Sequence, residues 1–105
     1  MDSKVFRKDI QMEDIMIQIK INDAIVYLSI SRIDDTLRKD ILTALEDAKK
    51  FDYKKLINLV HGTKLNNRSM NKDERQDIEN LINFYLKSIL NIIYAKEVYN
   101  YGSNS

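Results

Sequence analysis

The chain has 105 residues, 44% of them apolar and 31% charged, with a net charge of +1. That balance suits one globular domain, excludes a disordered chain, and argues neither for nor against nucleic acid. Cysteine is absent, which excludes disulfides, thiolate zinc sites and a thiol nucleophile, and fits a reducing, cytoplasmic setting. No N-terminal signal-peptide pattern is visible, and no apolar run reaches the roughly 20 residues of a membrane span. Proline is absent and glycine occurs only at Gly62 and Gly102, so no linker can be drawn. Residues 1–99 therefore read as a single α+β domain and residues 100–105 as a disordered tail.

Residues 3–14 fit neither period and suit a short helix or an edge strand. After them, Ile15, Ile17, Ile19 and Ile21 alternate with other residues, the period-2 pattern of a half-buried strand. Asn22-Asp23 suits a tight turn, and Ala24, Val26, Leu28 and Ile30 alternate again. A two-residue loop would put all eight on one face, so the segment reads as an antiparallel β-hairpin.

Helices are expected to cover that face. Asp34 or Asp35 can cap one bearing Leu37, Ile41, Ala44, Leu45 and Ala48. Asp52 can cap a shorter one with Leu56, Leu59 and Val60 inward and Gly62 just past its end. Asn71 with Glu74 resembles a capping box opening a long helix from Lys72 to about Val98. Asp73, Glu74 and Asp77 complement its N-terminal dipole. Its apolar residues fall in two stripes: Ile78, Ile82, Tyr85 and Ile89, then Leu86, Leu90 and Ile93. The hairpin can cover only one, so Leu86, Leu90 and Ile93 are candidates for self-association and the protein is expected to be a homo-oligomer.

No catalytic constellation emerges. The lone His61 sits at a helix end, where an exposed or dipole-facing role suffices, and a histidine metal cluster is impossible. Two distant glycines form no phosphate loop. No cofactor, metal or small-molecule substrate is indicated. The charge is uneven: 7 basic against 10 acidic residues through Ala48, but 8 against 3 from Lys49 to Arg75. Lys49, Lys50, Lys54, Lys55, Lys64, Arg68, Lys72 and Arg75 are thus candidates for contacting phosphates or an acidic partner. A solvated face accounts for the same lysines. A helix-turn-helix over Tyr53–Val60 and Lys64–Met70 fits poorly, with Ile57, His61 and Asn67 at its key positions. The chain therefore reads as a small non-enzymatic regulator that binds another protein, an inhibitor or adaptor of the kind mobile elements encode. The alternative is a dimeric nucleic-acid-binding regulator using Lys49–Arg75.

Overall fold

In the computed structural model, residues 12–62, 65 and 69–104 are described, with side chains as far as Glu97. They form four helices: α1 (Met12–Ile30), α2 (Asp35–Lys49), α3 (Lys54–His61) and a long α4 over residues 72–104. The last comprises Lys72–Leu81, a π-helical turn Ile82–Leu86, and Lys87–Asn104, so it extends over residues read above as a tail. No strand occurs among the described residues, and the α+β class is corrected to all-α.

The expected hairpin is one 19-residue helix. Its eight alternating apolar residues divide evenly. Ile17, Ile21, Ala24 and Leu28, spaced by four, three and four, are buried, while Ile15, Ile19, Val26 and Ile30 are exposed. The same residues satisfy both periods, so alternation alone could not separate them. Packing does. A two-stranded hairpin is marginal and leaves two open edges. A helix satisfies its backbone internally and, at about 28 Å, runs along α4. It packs on the later parts of α4 and on α2, with Ala24 permitting close approach.

The two stripes expected on α4 are also corrected. Buried residues run Ile78, Leu81, then Leu86, Ile89, Leu90 and Ile93. A regular helix would follow Leu81 with Tyr85. The π turn inserts one residue there and rotates everything beyond it by about 100°. Leu86, Leu90 and Ile93 are thereby brought into line with Ile78 and Leu81 in one buried core, and α1 and α3 pack against this part of α4 within one chain.

Of the other local expectations, the buried faces and the α4 cap match. The side-chain caps do not form on α2, whose N-cap is Asp34, or on α3, whose N-cap is Tyr53 and not Asp52. Leu37, Ile41, Ala44, Leu45 and Ala48 are all buried on α2, and Leu56 and Leu59 on α3. The Asn71 side chain accepts from the Glu74 backbone N–H at 2.7 Å, capping α4. Gly62 follows α3, but with φ −76° it takes no left-handed turn. The positive φ falls instead at Phe51, with φ 66°, just after α2. There Phe51 N–H donates to Ala48 O and Asp52 N–H to Asp47 O, a Schellman closure with phenylalanine where glycine is usual.

Candidate functional site

On α1, the side opposite the core is also apolar. Met12, Ile15, Met16, Ile19, Val26 and Ile30 are between 42% and 73% exposed. At 100° per residue they fall within an arc of about 100°, diametrically opposite Ile17, Ile21, Ala24 and Leu28. Asp23 is the one polar residue inside that arc. A helix apolar on both sides is ordinarily buried on both sides. Here one side faces solvent. Near its C-terminal end the stripe forms the wall of an open groove with Asp23, Tyr27 and Tyr85. Tyr27 and Tyr85 stack with centroids 5.0 Å apart, so the π turn helps shape this surface, and Phe84 beside it is exposed.

Burial also holds two carboxylates. Asp77 accepts from Arg32 Nε at 3.1 Å and Nη2 at 2.9 Å and from the Arg32 backbone N–H. The Arg32 side-chain bonds, with the backbone bond next, hold the Asp77 carboxyl below its ordinary range despite its burial. Glu74 does not close the capping box but turns outward from α4, accepting from the Asp34 backbone N–H at 3.0 Å. These acids therefore tie the α1–α2 link to α4. They are structural, and no group of His, Cys, Asp or Glu among the described residues could hold a metal ion.

The expected basic surface is divided. Lys50, Lys54, Lys72 and Arg75 are exposed. Lys55 lies 2.9 Å from Asp47, whose hydrogen bond raises the ammonium's affinity for its proton, and Lys49 lies 3.9 Å from Glu46. Carboxylates of α2 thus meet part of the island's charge. Lys64 and Arg68 lie outside the described residues. His61 is exposed and shares a hydrogen bond of 2.9 Å with the Tyr94 hydroxyl. Leu86, Leu90 and Ile93 are core residues, at 2% exposure or less, so these side chains offer no surface to a second chain. No helix of the described residues is long and apolar enough to cross a membrane.

Compared with known proteins, the chain matches no family model, no characterised sequence and no solved structure. The surface itself must carry any functional reading. Its sequence signal is the seven-residue spacing of Met12, Ile19 and Val26 and of Met16, Asp23 and Ile30, visible only once the segment is taken as a helix.

Proposed function

We propose that the chain is a small non-enzymatic regulatory protein that works by protein–protein binding through the outer face of α1. One observation carries this reading: six large apolar side chains stand in water on a single helix face. Each buried Ile or Met is worth about 1.5–3 kcal/mol, so a partner covering them gains what folding leaves unused. Contiguous apolar patches of this kind mark interaction surfaces, and an amphipathic helical face is a common way to bind protein.

A photoreactive residue at position 26 tests it in cells. The expected result is one dominant protein adduct, identified by mass spectrometry and lost when Ile19→Glu is added. Ile19 is exposed, so the variant should keep its helical circular dichroism. No adduct, or one indifferent to Ile19→Glu, overturns the reading.

A further inference from the structure

We propose that the outer face of α1 binds a second copy of this chain, as an antiparallel two-fold helix pair in which Lys20 of each protomer meets Asp23 of the other. The inference rests on the protein-binding reading above and names its partner.

Area supports a stable pair. Six side chains each leaving on the order of 100 Å² exposed give about 600 Å² per protomer and about 1,200 Å² in all, above the ~1,000 Å² that a specific interface should clear. A two-fold interface must be self-complementary, using the same patch on both sides. The stripe meets that condition in one direction. Asp23 lies inside the apolar arc, and Lys20 stands on the flank beside it. Parallel pairing would set the two Asp23 carboxylates level with each other in a surface losing water, which is unfavourable. Antiparallel pairing that sets Lys20 level with the partner's Asp23 neutralises both carboxylates, once on each side of the axis. In that register the partner's Val26 enters between Met16 and Ile19, and the partner's Ile30 lies between Met12 and Met16. Apolar residues then meet apolar residues along the stripe on either side of the two Lys20–Asp23 pairs. A lipid surface fits less well, because the charges of α1 are Glu13, Asp14, Lys20 and Asp23, without the basic flanks that anionic headgroups recruit.

Light scattering on the full chain at micromolar concentration reads the mass. The expected value is twice the 12.4 kDa of one chain. Ile19→Glu should give a monomer with unchanged circular dichroism. Lys20→Asp and Asp23→Lys alone each convert two attractive contacts into repulsive ones and should weaken the dimer about tenfold or more. The double variant Lys20→Asp, Asp23→Lys restores opposite charges in the same geometry and should recover the dimer. A wild-type monomer overturns the inference, as does a dimer indifferent to Ile19→Glu. A double variant as weak as either single one overturns the antiparallel register. If the wild type is monomeric but the adduct at position 26 forms with a different protein, the partner named here is wrong and the protein-binding reading stands. If neither forms, both fall.

Discussion

At the corner between α1 and α2, polar groups are tied down by charged side chains from elsewhere in the fold, whereas the corner between α2 and α3 has a neutral tie, Gln18 Nε2 donating to the Lys49 carbonyl at 2.9 Å. Arg38 reaches back from α2 to donate to the Leu28 carbonyl, to the Ser31 carbonyl at 3.0 Å and to the Ile33 carbonyl at 2.7 Å. It thereby satisfies acceptors that the end of α1 leaves open. Arg32 and Asp34 are held in turn by Asp77 and Glu74. At the second corner, Phe51 adopts a left-handed conformation that phenylalanine disfavours, and its exposed ring sits 5.5 Å from Lys96 Nζ. The Tyr53 hydroxyl is buried with no hydrogen-bond partner among the described residues, and burial, more than the nearby Asp14 and Glu97, raises its affinity for its proton. Both corners turn the chain between helices. The first is over-determined by charged hydrogen bonds, and the second is held by backbone closure and the Gln18 amide.

That contrast can be broken at its strong end first. Arg38→Met keeps the aliphatic stem but leaves three carbonyls without their charged donor. Hydrogen bonds to charged groups are worth about 1.5–3 kcal/mol each and are partly replaced by water here, so a loss of about 2–4 kcal/mol is expected in urea unfolding. A fall under about 0.5 kcal/mol would mean that water serves the end of α1 equally well.

Asp77→Asn should cost less, about 1–2 kcal/mol at neutral pH, because Arg32 is itself more than half exposed. The pH dependence has a definite sign. Asp77 is depressed in the folded state, so its contribution is fully present above the ordinary carboxylate value of about 4 and is lost as pH falls through the lower folded value. Wild type should therefore lose stability in that acid window more steeply than Asp77→Asn. Parallel acid unfolding profiles for the two proteins would refute the assignment.

At the weak corner the expected effect is small and opposite. Phe51→Gly removes a left-handed penalty of about 1–2 kcal/mol per residue, against the glycine's unfolded-state entropy and a cation–π contact of about 0.5 kcal/mol at an exposed site. A net gain near 0.5 kcal/mol is expected, read as a slightly raised thermal midpoint. A clear loss would show that the ring does more at this corner than its exposure suggests.

Local determinants were legible in the residues themselves. The Asn71 cap, the start of α4 at Lys72 and the buried face of α2 each depend on residues three or four positions apart, and the structure has them as the spacing predicts. The basic concentration after Ala48 is equally plain in the sequence, but its pairing with Glu46 and Asp47 is not, since those carboxylates precede the island. An excess of apolar surface was also legible, though it was placed on Leu86, Leu90 and Ile93 rather than on α1.

Two matters were decided only by the tertiary structure, for related reasons. Residues 15–30 are apolar at period 2 and at period 3.6 alike, so their local preferences tie. The tie is broken by α4, whose long buried stripe needs a neighbour of similar length with no open backbone edge. The π turn at Ile82–Leu86 has no punctuating glycine or proline. It exists because one inserted residue brings two half-stripes onto one side, where α1 and α3 pack against them. Spacing states which faces a segment can present; which face is covered depends on what else the chain has available to lie against it.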